Sequence, residues 1–240
     1  SGIVTGNIVH NALDHLPPPS HKSLKEHLLN GVYTFNQAGF THIRDLSCSE
    51  EQWNCALELE QEGKLTLAVS QYIECHQLDR LDSILDIASK CSREQSRNLR
   101  FGGVKIYFDG ALGSDTALLS ENYQGRESCG TQQVSTKDLM QYIRRIGQYP
   151  NLSLAIHAIG DQAAHLIVST IHKLHSDGRK IPPIHLEHLE IVKPETIDLI
   201  KGLPITCNMQ PIHYRGDIQW LGEKLSGGLM QEIFPWGKLE

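Results

Sequence analysis

Three apolar runs each carry a side chain that can do metal chemistry. Lys105 lies within Gly103-Val104-Lys105-Ile106-Tyr107-Phe108-Asp109, His157 follows Leu154-Ala155-Ile156, and His188 closes His185-Leu186-Glu187-His188. An ammonium is expensive to remove from water, so a lysine between Val104 and Ile106 is paired, shifted in pKa or chemically modified. The two histidine-bearing runs make modification worth pursuing, as if three strands each delivered one group to a shared site. Plainer roles exist for each residue. Lys105 can pair with Asp109, His157 can be a hydrogen-bonded core histidine, and Asp161 can cap the helix that carries Ala163 and Ala164. Gly110 and Gly113 are either ordinary turn glycines or places where backbone amides approach a substrate oxygen. His213, after Pro211, is placed to reach the mouth of such a site. Asp109 and Glu187 offer a different chemistry, the acid and nucleophile of a barrel glycosidase, but that reading leaves Lys105 and the histidines without a role.

The elements that must position these groups alternate in type. Helical spacing joins Leu24, Leu28, Val32 and Phe35, then Leu139, Ile143 and Ile146, then Ala164, Ile167, Ile171 and Leu174. Short β-rich runs near 40–45, 65–73, 103–109, 152–157, 184–188 and 203–209 fall between the helical stretches. Repeated strand-then-helix units predict parallel neighbours in chain order with right-handed crossovers. Alternation places Lys105, Tyr107 and Asp109 on one face of their strand and Val104, Ile106 and Phe108 on the other, and a polar inner lining suits a barrel better than an open sheet. His157 shares a face with Ser153 and Ala155. His188 is the exception: parity groups it with Ile184 and Leu186, and it needs a bend at the strand end to join the others. Residues 1–20, with Pro17-Pro18-Pro19, read as an extended connector, and Ser20 as the cap of the first helix.

Composition narrows the function classes. With 40% hydrophobic residues in 240, the chain can bury a large core, and an α/β barrel fills that length as one unit. The formal charge of −6 and the lack of long charge blocks argue against nucleic acid or an anionic membrane as partner, and favour a small-molecule substrate. No apolar stretch approaches the ~18 residues of a membrane span. The six cysteines never form a Cys-x-x-Cys pair, which reads as reduced thiols in a cytoplasmic protein. The start on Ser1 and the closing Leu239-Glu240 suggest an excised piece of a longer protein, with 237–240 an appended C-terminus.

Taken in order, Val-Lys-Ile-x-x-Asp-Gly-Ala-Leu-Gly-Ser (104–114), His-Ala-Ile-Gly-Asp (157–161), Leu-Glu-His (186–188) and Asn-Met-Gln-Pro-x-His (208–213) closely resemble the amidohydrolase superfamily of metal-dependent hydrolases. The branch that includes N-substituted formamide deformylase is the nearest in pattern, and the resemblance runs from about Gly2 to Trp236. It implies a TIM barrel, with Lys105 the strand-four lysine that becomes carboxylated and His157 and His188 the metal ligands on strands five and six. Asp109, Gly110, Gly113 and His213 are then expected around the substrate. The chemistry is consistent: an ammonium has no acceptor, whereas the carbamate formed with CO2 offers two anionic oxygens and removes the buried positive charge. Neutral imidazoles suit zinc or another divalent metal, and metal binding lowers the pKa of a bound water to roughly 7. Hydrolysis of a non-peptide, amide-type C–N bond by a metal-activated water is the expected reaction.

The departures from the family pattern matter equally. No His-x-His pair occurs, and little chain follows Gln210-Pro211, so the first and last barrel strands and the strand-eight aspartate are missing. His185 stands where the family commonly has arginine, which bears on substrate recognition. Six strands cannot close an eight-strand barrel, so the chain is expected to be inactive alone, its metal absent or weakly held, with exposed sheet edges open to a second copy. A non-catalytic binding or remnant domain on the same scaffold is the competing reading.

Overall fold

The computed structural model describes residues 19–91 and 98–239. The connector expected over 1–20 lies outside the described residues except for its last two. Among the described residues, six strands alternate with seven α-helices, and the chain falls into two compact units.

The first unit comprises the described residues up to Ile73 together with Ser89–Phe101. Helix α1 (His21–Gln37) begins where Ser20 accepts the Ser23 N–H at 3.2 Å, the expected cap. Of its predicted apolar face only Val32 is buried, and Phe35 is 40% exposed. The reason is a cavity of about 600 Å³, lined by Leu24, Leu28, Val32 and Phe35 among others. Strand β1 (His42–Cys48) pairs in parallel with β2 (Ala68–Glu74), from His42↔Ala68 to Leu46↔Tyr72, and the register slips at Ser47, whose φ is 89°. Between them, α2 (Glu50–Gln61) starts on a reciprocal capping box between Ser49 and Gln52. Trp53 packs edge-on to Phe101 at 5.2 Å.

The second unit comprises Glu74–Ala88 and the chain from Gly102 onward. Its elements, apart from the end of α3 and the start of β3, are α3 (Leu81–Cys91), β3 (Leu99–Tyr107), α4 (Thr136–Ile146), β4 (Ser153–Ala158), α5 (Asp161–Ser176), β5 (Ile184–His188), α6 (Pro194–Ile200), β6 (Ile205–Asn208) and α7 (Pro211–Lys224). The strands β3 to β6 are parallel neighbours in chain order, as the repeated units predict. Val104, Ile106, Leu154, Ile156, Ile184 and Leu186 are fully enclosed, so the strands read as near-continuous apolar runs for the physical reason that helices cover them. Gly103 sets how closely β3 and β4 approach: its φ is +152°, and a Cβ there would lie 1.9 Å from the Ser153 carbonyl oxygen. A second apolar cluster, including Leu112, Tyr123, Ile159, Leu221 and Phe234, anchors the long loop after β3 against α7.

Cys48, Cys55, Cys75, Cys129 and Cys207 are free thiols, in line with the sequence. Asp161 is not the helix cap. Gly160 occupies that position, and the Asp161 carboxylate instead accepts the Ser120 N–H at 3.0 Å and pairs with Lys193 at 3.2 Å. No helix among the described residues is long and apolar enough to cross a membrane.

Candidate metal centre at the strand ends

Register brings the predicted residues to one edge of the second unit. Tyr107 stands opposite His157, and Ala158 opposite His188, at the C-terminal ends of β3, β4 and β5. The His157 and His188 rings are 4.7 Å apart between centroids, and Tyr107 lies 5.2 Å from His157. Lys105 is 2% exposed, with its Nζ 4.6 Å from the Tyr107 ring centroid. Its charge contributes to lowering the pKa of both histidines, which places all three groups within electrostatic reach of one another.

His188 reaches this edge against strand parity because the backbone bends where it must. His188 has φ +79° and Leu189 φ +48°, two consecutive non-glycine residues in the left-handed region. Each costs roughly 1–2 kcal/mol. The Leu189 N–H then donates to the Ala158 carbonyl at 2.9 Å, tying the bend to β4.

Hydrogen bonds select the tautomer of each ring. His157 Nε2 lies 2.8 Å from the Gly110 carbonyl oxygen, which can only accept, so Nε2 carries the hydrogen and Nδ1 keeps its lone pair. His188 Nδ1 lies 2.8 Å from Gln210 Oε1, while the Gln210 amide nitrogen donates to the Asn208 carbonyl, so Nδ1 carries the hydrogen and Nε2 keeps its lone pair. Metal-binding histidines are commonly oriented in this way, with the second ring nitrogen donating to a carbonyl. Burial pushes His157 down to about 3 and His188 down to about 4, so both rings are neutral near pH 7. Two neutral imidazoles with free lone pairs beside a buried lysine fit a divalent metal.

The residues expected around the substrate divide. Asp109 is fully enclosed, and its carboxylate accepts backbone N–H groups from Leu118 (2.9 Å), Ile159 (3.1 Å) and Gly160 (2.9 Å). Burial pushes its pKa up to about 7 against those donors. Rather than facing a substrate, it latches the loop after β3 to the end of β4, and its Oδ1 lies 3.8 Å from His157 Nε2. The committed oxygens also remove it from a glycosidase pair with Glu187. Gly110 spends its N–H on the Thr116 carbonyl and its carbonyl on His157, and a Cβ would meet Thr116 Oγ1 at 2.0 Å. The Gly113 carbonyl accepts from Lys224 Nζ at 2.8 Å. His213 stacks on His188 at 5.6 Å with 16° between the rings. His185 sits opposite Thr206, with Nδ1 3.4 Å from the Asn208 amide nitrogen.

Sequence reasoning gave no role to Tyr107, Glu190 or Gln210. Tyr107 was placed on the face of Lys105 by parity, but its register with His157 appears only in the strand pairing. Gln210 lay inside a motif already noted, but its service to His188 depends on the β6–α7 turn. Glu190 is 3% exposed and accepts from His213 Nδ1 at 2.8 Å, a contact no local spacing reveals.

Comparisons with known proteins bear on the family and the fold. The family profile described as "Amidohydrolase family" matches residues 1–240. The chain is 27% identical over 230 residues to the "Putative amidohydrolase YtcJ" of Bacillus subtilis, covering 95% of this chain and 42% of that protein. It also resembles two solved structures, each described as an uncharacterized metal-dependent hydrolase. The Pyrococcus furiosus structure has TM-score 0.82 and 23% identity, over 96% of this chain and 46% of that one. The Pyrococcus horikoshii structure has TM-score 0.80 and 24% identity, over 96% and 45%. The chain thus spans less than half the length of these relatives, and the fold is a parallel (β/α) barrel type with six strands in place.

Proposed function

The chain belongs to the amidohydrolase family, and we propose that, within a protein of its relatives' length, it supplies one side of the active site of a metal-dependent hydrolase that cleaves an amide-type C–N bond of a small molecule. The observation that carries this reading is the pair of partly buried, neutral imidazoles, each with one nitrogen engaged by an oxygen acceptor and the other free, beside the buried Lys105.

His157 through Nδ1, His188 through Nε2 and a carboxylated Lys105 would hold the ion, zinc being the metal this nitrogen and oxygen set suits. When bound, it supplies a Lewis acid and a nucleophile competent at neutral pH. The protein's own part is to prepare the ligands. The Lys105 ammonium gives up one proton before its Nζ bonds to the carbon of CO2 and a second as the N–C bond forms, so the products are a carbamate anion and two released protons. The Gly110 carbonyl and Gln210 hold the rings against rotation, and the Asp109 latch fixes Gly110's neighbourhood.

On a panel of small amides, the full-length protein carrying Lys105→Ala, His157→Ala or His188→Ala is expected to lose about a thousandfold or more in kcat/KM, several kcal/mol of transition-state stabilisation. The 240-residue chain by itself is expected to turn over none of them. Undiminished hydrolysis by the Lys105→Ala protein would overturn the reading.

A further inference from the structure

We propose that His188, Glu190 and His213 form a three-ligand site for a divalent metal ion, one that shares His188 with the Lys105 side and holds its ion without Lys105 or His157. It rests on the reading of His188 as a ligand, and on nothing else in the proposed function. Ligand-capable atoms of these three residues, one from each, all lie within 4.8 Å of one another. Tetrahedral zinc with nitrogen and oxygen ligands at its usual bond lengths sets them about 3.3 Å apart, so closure asks for movements of about 1.5 Å at most.

The tightest pair is already assembled. Glu190 Oε1 and His213 Nδ1 are 2.8 Å apart, sharing a hydrogen where a cation would sit, and replacing that hydrogen opens the pair by about half an ångström. The carboxylate is buried, its side chain 4% exposed, and a buried carboxylate needs a cation or a donor beside it. The His213 side chain is 35% exposed, which leaves a route from solvent.

Backbone geometry holds the three together. The left-handed residues His188 and Leu189 carry the chain around so that Glu190 and His188 serve the same place. Glu190 is clamped in turn: its carbonyl accepts the Phe234 N–H at 2.6 Å, and Ile191 bridges to Ile233. His213 stands in the first turn of α7, and Gln210 leaves His188 Nε2 with its lone pair. The combination of two histidines and a glutamate is one that zinc enzymes use. Since His188 offers one nitrogen, the ion occupies either this position or that with Lys105 and His157, and the chain holds one ion at a time.

Zinc affinity, measured on the full 240-residue chain by competition with a chromogenic chelator, separates the two positions. The size-conserving double variant Lys105→Met/His157→Gln is expected to bind one zinc ion with affinity within about tenfold of the unaltered chain. Adding Glu190→Gln or His213→Gln to that background is expected to weaken binding about a hundredfold or more, with unchanged circular dichroism confirming the fold. No zinc bound by the double variant, or equal binding by the triple variants, would overturn the proposal. Neither result depends on amide hydrolysis, so failure here is distinguishable from failure of the proposed reaction.

Discussion

The ends of β4 and β5 each present one histidine to the same edge, yet they are built in opposite ways. His157 continues a regular strand, and its surroundings are fixed through backbone groups: Asp109 binds the N–H groups of Ile159 and Gly160, and the Gly110 carbonyl receives its Nε2 hydrogen. His188 sits on a strained, left-handed turn and is supported by side chains, the Gln210 amide and the His213 ring. One ligand is fixed by enclosure and backbone, the other by side chains around a bend. The first arrangement favours rigidity; the second leaves room for the ion to choose between neighbours.

Removing the latch under β4 should have the largest effect on stability. Asp109→Ala strands three buried N–H donors, those of Leu118, Ile159 and Gly160, at about 1–3 kcal/mol for each unsatisfied group. Partial relaxation makes a total of about 3–5 kcal/mol the expected loss, read as a shift in urea midpoint. Asp109→Asn, which keeps an acceptor, should lose clearly less. If Ala and Asn behave alike, the latch contributes little and the contrast with β5 falls.

Gly110→Ala is the next test. The new Cβ would meet Thr116 Oγ1 at 2.0 Å and Thr116 Cβ at 2.5 Å, so the Gly110 carbonyl must move away from His157. About 1–3 kcal/mol of stability should be lost, together with a His157 ring whose nitrogen-15 shifts no longer report a single tautomer. The nitrogen shifts of His188 should not change. Altered shifts at both rings would show that the two ends are one unit rather than two.

Much of this was legible before any coordinates. Strand-and-helix alternation located the six strands among the described residues, most directly β2 to β5, because enclosed parallel strands are apolar runs whatever the remote contacts. Lys105 and His157 were legible for the same reason, each being placed by the parity of a regular strand. His188 was placed by resemblance and against parity, since the turn at residues 188–189 is stabilised by Ala158, Phe234 and Ile233, which are distant in sequence. Asp109 shows the reverse failure. Its type and position suggested a substrate contact, but whether a carboxylate faces ligand or backbone depends on where the loop at Leu118 returns. The helical spacing of Leu24, Leu28, Val32 and Phe35 found α1, but periodicity reports an apolar surface and not whether that surface packs or lines a cavity.

The smallest expected effect is the most specific to the comparison, a difference in how acid acts through the two rings. Folded-state pKa values of about 3 for His157 and about 4 for His188 lie below the roughly 6.5 of an unfolded histidine. As pH falls below 6.5 the unfolded chain therefore takes up protons first, and each ring contributes stability that is present above pH 6.5 and lost as the pH falls toward its folded value. Each contributes a slope of up to about 1.4 kcal/mol per pH unit over that window. Asp109 runs the other way: its folded value of about 7 lies above the unfolded value near 3.9, so the folded state keeps the proton and stability falls as pH rises between them. Comparing His157→Gln with His188→Gln cancels Asp109 and the surface carboxylates common to both. The two variants should have equal slopes between pH 6 and 5, each shallower than the unaltered chain by one proton. Below pH 4 they should part, because in His157→Gln the remaining ring is already protonated in both states, whereas in His188→Gln the more deeply enclosed His157 still costs stability down to about pH 3. Urea midpoints across this range, taken on metal-free protein, supply the slopes. Equal slopes throughout would mean that the regular strand end and the bent one enclose their histidines equally.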